Sequence, residues 1–268
     1  MSNGHNLIPP TGEKFSVSSF DTSRANGMTK DEGASKIAEL RIRLNELQDL
    51  LYADERFGLL IVLQGIDTGG KDGTIKSVFQ EVGPLGCQVV SFKVPTPEEL
   101  AHPYLWRYQK ETPEKGHITI FNRSHYESVL VERVKNIVPK DVWERRYDDI
   151  NEWEEFLVRN GTQVVKFALL ISKDEQRERL QERIDNPKKQ WKFRLGDLDD
   201  RKLWTEYQDA YSDVITKTNT KHAPWHAVPA DRKWYRDVVI AEAVIKKLES
   251  LDLRYPPADP QIIGMKVE

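Results

Sequence analysis

The chain has 268 residues, 40 basic and 43 acidic side chains, a net charge of −3 and 38% apolar content. Seven Trp, nine Tyr and nine Phe can fill a sizeable core, which excludes wholesale disorder, and the mild acidity argues against a nucleic-acid coat protein. No apolar run reaches eighteen residues, the start MSNGHNLIPPTGEKF has no apolar signal core, and Cys87 stands alone; no membrane span or secretory leader is expected, and a reducing, cytoplasmic setting is.

Residues 1–32 are polar, rich in Ser, Gly, Asn and Pro, and read as a tail or loosely docked arm. Residues 33–255 read as one compact domain and 256–268 as a second tail. Ile37, Leu40, Leu44, Leu47 and Leu51 recur at helical spacing, predicting a helix over 34–52 packed on its own sheet, with a dimer-forming helix as the other reading. Leu59–Leu63 is a short continuous apolar run, the pattern of a strand buried on both faces of a parallel sheet. A helix follows from about Asp72. Further strands are expected at 87–94, 117–122, 162–172 and 225–229. Helices are expected at 97–109, 124–135, 139–160, 173–184, 198–218 and 231–251, with 186–197 as a loop. Strands alternating with helices predict an α/β fold, a parallel sheet covered by helices on both faces, with ligands at the carboxyl ends of the strands.

Residues 65–71 read Gly65-Ile66-Asp67-Thr68-Gly69-Gly70-Lys71, the G-x-x-x-x-G-K spacing between an apolar strand and a helix. Glycines let successive amides point into one hollow, the helix N-terminus adds partial positive charge, and Lys71 supplies a full one to a phosphoryl oxygen. The plain alternative is a glycine turn with Lys71 on the surface. The Ser or Thr that usually ends the motif is here Asp72, placed with the phosphate-binding residues or, in the plainer reading, simply capping the helix. Asp67 inside the loop would repel phosphate unless a cation neutralises it, so it is expected to face Mg²⁺, with Mn²⁺ as a substitute.

The strand HITIF runs into Asn122-Arg123-Ser124-His125-Tyr126-Glu127. Asn122 occupies the strand end near the metal and offers a neutral oxygen, Glu127 can restore the charge, and Arg123 can grip a phosphate in a bidentate way. Ser124 reads as a helix cap. His125 could in principle be a phosphorylated nucleophile, but a structural or acceptor-contact role is preferred because phosphate-loop chemistry is direct in-line transfer. Residues 173–194 carry eight basic and five acidic side chains, and all five acids precede Asn186. The basic stretch that includes Lys192 and Arg194 is expected to form a lid over about 186–199 that closes on transferring phosphates, with Arg133 and Lys135 extending the positive track.

At these residues the sequence resembles the polyphosphate kinase 2 family, through LQGIDTGGKDGT (63–74), VPTPEELAHPYLWR (94–107), IFNRSHYESVLVERV (120–134), FALLISKDEQRERLQERI (167–184), WKFRLGDLDDR (191–201) and APWHAVPADRKWYR (223–236). FNRSHYE is similar to the class III variety, in which Asn takes the usual Asp position. The resemblance implies a phosphate-loop kinase core with a mobile helical lid. It implies Mg²⁺-dependent transfer of the terminal phosphoryl group of inorganic polyphosphate to AMP, ADP or both, yielding ADP and ATP, and assembly as homodimers or homotetramers. It assigns Asp67, Gly69, Gly70, Lys71 and Asp72 to the phosphate loop, Asn122, Arg123 and Glu127 to the second strand end, and Lys192 and Arg194 to the lid. Two other functions are expected to compete: an ATP-dependent nucleoside monophosphate kinase, and a non-catalytic module that senses nucleotide.

Overall fold

A computed structural model describes residues 7–267; the ends of both predicted tails, residues 1–6 and 268, lie outside the described residues. Five strands form one parallel sheet: β1 (Gly58–Gln64), β2 (Cys87–Ser91), β3 (Ile118–Asn122), β4 (Thr162–Leu170) and β5 (Trp225–Pro229), in the order β2-β3-β1-β4-β5. Every residue of β1 is buried, as its unbroken apolar run predicts for the central strand. The chain leaves β1 toward one edge, returns to β3 beside it, then crosses to β4 on its other side. That reversal opens a crevice at the carboxyl end of β1, where a ligand can sit.

The helices cover both faces. On one lie α2 (Lys71–Val78) and α10 (Lys233–Glu249), and on the other α6 (Lys140–Arg159), flanked by α9 (Trp204–Thr218). The first helix, α1 (Lys30–Asp54), begins four residues before its apolar stripe suggests. The Thr29 hydroxyl accepts from the Glu32 amide and the Glu32 carboxylate accepts from the Thr29 amide, a reciprocal cap that starts the helix there. Its buried stripe, Ile37 to Leu51, packs on α10 within the chain, and its Arg41 Nε donates to the Ser77 carbonyl of α2 at 2.6 Å.

Several predicted helices are broken. The 97–109 segment forms α3 (Pro97–Leu100) and α4 (Trp106–Gln109), separated around Pro103, which cannot continue a helix. The 124–135 segment forms a tight turn at His125–Ser128 and then α5 (Val131–Val134). After α7 (Lys173–Asp185), the 198–218 segment divides at Leu203 into α8 (Gly196–Lys202) and α9. The 186–197 stretch is not wholly a loop, since Gln190–Lys192 makes a helical turn and α8 has begun by Gly196.

The N-terminal arm is held more firmly than a loosely docked one. The Ala227 amide donates to the Leu7 carbonyl at 2.8 Å, Asn219 Nδ2 to the Pro9 carbonyl at 2.7 Å, and the Val17 amide to Ser212 Oγ at 3.0 Å. Leu7 and Val17 are buried with these bonds. The polar composition conceals a few apolar anchors spaced along the arm. Residues 254–267 are exposed.

On β5, the His226 ring lies 5.0 Å from the Phe167 ring, and burial pushes its pKa from 6.5 to about 4. The unfolded chain therefore binds this proton first as pH falls, so the neutral buried ring stabilises the fold fully above pH 6.5 and progressively less down to pH 4. The contribution is at most about 3 kcal/mol. In His226→Gln, the urea midpoint should change less steeply between those pH values than in the parent; an identical pH dependence would exclude His226 as the titrating group.

Candidate functional site

The site is built where β1 stops. Ile66 to Gly69 turn tightly, with the Gly69 amide donating to the Ile66 carbonyl at 2.8 Å, and α2 begins at Lys71. Thr68 and Gly70 both take left-handed backbone, at φ 68° and 103°. Thr68 pays a steric penalty there that glycine escapes. Its carbonyl is secured by buried Arg179 on α7, whose Nη1 donates to it at 2.8 Å while Nη2 donates to the Ala230 carbonyl at 2.6 Å. Behind Gly70 lies the buried side chain of Arg236: a Cβ on Gly70 would fall 2.1 Å from Arg236 Nη1.

Lys71 is buried, and its Nζ donates to the Gly65 carbonyl at 2.6 Å. Burial and the neighbouring Arg123 push its pKa down, while Asp67, Glu127 and Asp72 oppose the fall. The first-turn amides of α2, which have no helical acceptor, complete the positive end of the loop.

The second strand end meets the loop because Asn122 on β3 is in register with Leu63 on β1. Asn122 Nδ2 donates to Asp72 Oδ1 at 2.8 Å. The next residue, Arg123, has φ 65°, a conformation that costs a non-glycine residue about 1–2 kcal/mol. Its amide donates to the Leu63 carbonyl at 3.2 Å, and the turn directs its guanidinium to two carboxylates: Asp67 Oδ1 at 2.7 Å and Glu127 Oε2 at 3.5 Å. Glu127 also accepts from Gln64 Nε2 at 3.0 Å. Burial works against ionisation of Asp67, yet Arg123, Lys71, Arg183 and Lys135 together hold its pKa below the usual carboxylate value. Burial likewise opposes ionisation of Asp72, and its bond from Asn122 and the charges of Lys192 and Lys71 outweigh it.

From the 186–199 stretch expected to form a lid, Lys192 Nζ lies 3.6 Å from Asp72 Oδ2. Arg194 is exposed and its side chain has no partner among the described residues. α8 is tied down by Arg183–Asp197 at 3.3 Å and Lys135–Asp200 at 2.7 Å. Arg133 does not join the loop: it binds Asp213 at 2.7 Å and the Tyr147 hydroxyl at 3.0 Å, beneath the Trp143 ring. Lys135 is likewise taken up by an acid, so neither extends an unpaired positive track. His125 is fully buried against Glu154, a structural role and not that of an exposed nucleophile.

Asp67, Gly69, Gly70, Lys71, Asp72, Asn122, Arg123, Glu127 and Lys192 are therefore brought together, and Arg133 and Arg194 stand apart from their contacts. Pattern reading misses Gln64, Arg179 and Arg236, which support the loop from behind. It also passes over Lys166, whose signal is one lysine inside the apolar strand VVKFALL.

No cluster of three His, Cys, Asp or Glu forms a ready-made metal cage among the described residues. Asp67 Oδ2 and Asn122 Oδ1 nevertheless have no hydrogen-bond partner there, and Glu127 is the second acid on Arg123. Mg²⁺ usually takes one or two carboxylates, with phosphates and water completing its octahedron. The donor set fits an ion bound in that way.

Gly70→Ala should lower stability by about 1–2 kcal/mol for the backbone alone, with a further loss from displacing Arg236. Urea unfolding measures it; an unchanged midpoint would show that the loop can rearrange freely.

Comparison with known proteins follows the same outline. Residues 27–256 match the family model described as polyphosphate kinase 2. An AMP/ADP-polyphosphate phosphotransferase of Meiothermus ruber is 50% identical over 262 residues, 97% of each chain. An ADP-polyphosphate phosphotransferase of Rhodopseudomonas palustris is 40% identical over 93% of this chain and 91% of its own. The crystal structure of polyphosphate kinase 2 from Arthrobacter aurescens TC1 superposes with a TM-score of 0.93 at 40% identity, covering 98% of this chain and 95% of that one.

Proposed function

Because this chain belongs to the polyphosphate kinase 2 family, we propose that it moves the terminal phosphoryl group of inorganic polyphosphate onto a nucleotide, AMP to ADP and ADP to ATP. The observation that carries this reading is the convergence of three cations on one strand-end crevice, Lys71 resting on the Gly65 carbonyl and Arg123 and Lys192 on the carboxylates of Asp67 and Asp72. Incoming phosphates can take the place of those partners. The Meiothermus ruber relative bears both acceptors in its name, and its match to nearly the whole chain supports the dual activity.

In this reading the nucleotide's phosphates lie between the α2 N-terminus and Asn122. A terminal oxygen of the acceptor attacks the end phosphorus of the polymer, the bridging P–O bond breaks, and the polymer leaves one unit shorter. The attacking oxygen is already anionic, so no strong general base is required. Lys71, Arg123 and the lid residues Lys192 and Arg194 balance charge on the moving group; catalysis is alignment and electrostatics. Asp67, with Asn122 and Glu127, would hold Mg²⁺ or Mn²⁺. Such an ion, when bound, neutralises the phosphates and brings donor and acceptor together.

A nucleoside monophosphate kinase using ATP would share the loop and the arginines, and a sensing module would share the binding groove. The relatives' names favour neither. The proposal extends to a cytoplasmic homodimer or homotetramer; the lone, half-buried Cys87, its thiol pushed up to about 11 by burial, suits a reducing compartment.

A ³¹P time course with polyphosphate, Mg²⁺ and either AMP or ADP should show polymer shortening matched by nucleotide phosphorylation for both acceptors. Lys71→Met and Asp67→Asn should each slow it on the order of a hundred-fold. Phosphorylation of AMP with ATP but not with polyphosphate would defeat the reading, and near-normal turnover by Asp67→Asn would defeat the metal role.

A further inference from the structure

Directly behind the Arg123 turn is a set of polar side chains that the phosphate chemistry leaves unexplained. His125, Tyr126, Glu154, Lys166 and Thr218 are all fully buried. Lys166, in the middle of β4, places its three ammonium hydrogens on Glu154 Oε2 at 2.6 Å, the Tyr126 hydroxyl at 2.8 Å and the Thr218 carbonyl at 2.8 Å. The second oxygen of Glu154 accepts from the Tyr126 hydroxyl at 2.8 Å and pairs with His125 Nε2 at 3.1 Å. Burial keeps His125 neutral by lowering its pKa, against the pull of Glu154, so one cation faces one anion.

Five elements meet in this cluster: the His125–Ser128 turn, α6 through Glu154, β4 through Lys166, the last turn of α9 through Thr218, and β5 through Trp225, whose Nε1 donates to Thr218 Oγ1 at 2.9 Å. A buried ion pair is a poor source of stability, because desolvating both charges offsets their attraction; apolar residues of similar volume often do as well. What apolar residues lack is direction. Glu154 and Lys166 fix the positions of two consecutive side chains, His125 and Tyr126, soon after a residue in left-handed backbone. That residue, Arg123, must be aimed at Asp67 and Glu127, and Glu127 follows Tyr126 in the same turn. The cluster also anchors the far end of α9, the helix whose Tyr207 and Tyr211 feel the charges of Glu127 and Asp67.

We infer that the buried Glu154–Lys166 pair, acting through Tyr126 and His125, is a positioning device that aims Arg123 at the transferring phosphoryl group and keeps Glu127 beside it as its counterion. This rests on the reading of Arg123 as a phosphate ligand. Neither Glu154 nor Lys166 touches the crevice; both act through the turn.

The test combines Tyr126→Phe, which removes one hydroxyl at constant shape, with Arg123→Lys in a four-member cycle assayed with AMP and polyphosphate. Tyr126→Phe should lower kcat about tenfold, with KM for AMP within about twofold and a circular dichroism spectrum like the parent's. In the Arg123→Lys background the same change should cost little, because the group being aimed is already gone. The paired variant Glu154→Met/Lys166→Met should fold and show the same kcat loss. Normal kcat for Tyr126→Phe would overturn the inference, as would an equal loss in both backgrounds, which marks a merely structural role. Normal turnover by Arg123→Lys would remove the ligand reading and the inference with it, whereas slow Arg123→Lys beside normal Tyr126→Phe would remove the inference alone. If the paired variant does not fold, the Tyr126 cycle decides.

Discussion

The ion pair between Arg123 and Asp67, at 2.7 Å, expresses the constraint around which the rest of the crevice is arranged. A site for polyanions must gather positive charge in a partly buried place, and like charges there repel: Arg123 is one reason that Lys71 holds its proton less tightly than usual. Asp67, Asp72 and Glu127 serve as internal counterions that let the cations coexist before any phosphate arrives. Asp67 and Asp72 contact Arg123 and Lys192 directly, while Lys71 is held by the Gly65 carbonyl.

Maintaining this arrangement requires backbone that would not otherwise hold its shape. Thr68 and Arg123 both occupy left-handed conformations, and each is flanked by buried side chains that leave little alternative. Arg179 bonds the carbonyl of the first, and the Leu63 carbonyl accepts from the amide of the second. Strain of this kind persists only where the surroundings over-determine the conformation. The side chains at the crevice can stay few because so many others behind it are committed to support.

Much of this is legible in the order of the residues. The apolar run at Leu59–Leu63, the glycine spacing and the strand ending at Asn122 locate the loop, the central strand and its neighbour, because burial on both faces leaves an unmistakable pattern. Six blocks in one order point to the family. The Thr29 cap leaves a signal in Glu32, three residues later, that the apolar stripe from Ile37 passes over. Other features have no local signal. Arg123 is driven into left-handed backbone by its surroundings and not by its own preference, and the division of the 198–218 helix at Leu203 reflects how α8 is tied to Arg183 and Lys135. Arg133 resembles part of a positive track in the sequence because Asp213, its partner, lies 80 positions away.

The attachment of the arm to β5 has a bearing on the outer limits of the sheet. A parallel sheet ends in two rows of unsatisfied amides and carbonyls, each able to template another strand. At the β5 side, the Leu7 carbonyl already occupies the Ala227 amide, so the arm takes up one position on that border. At β2 no such cover is seen among the described residues, and Val89 lies about half exposed. One flank of the sheet is thus partly occupied by the protein's own N-terminal arm, at a distance from every residue of the crevice.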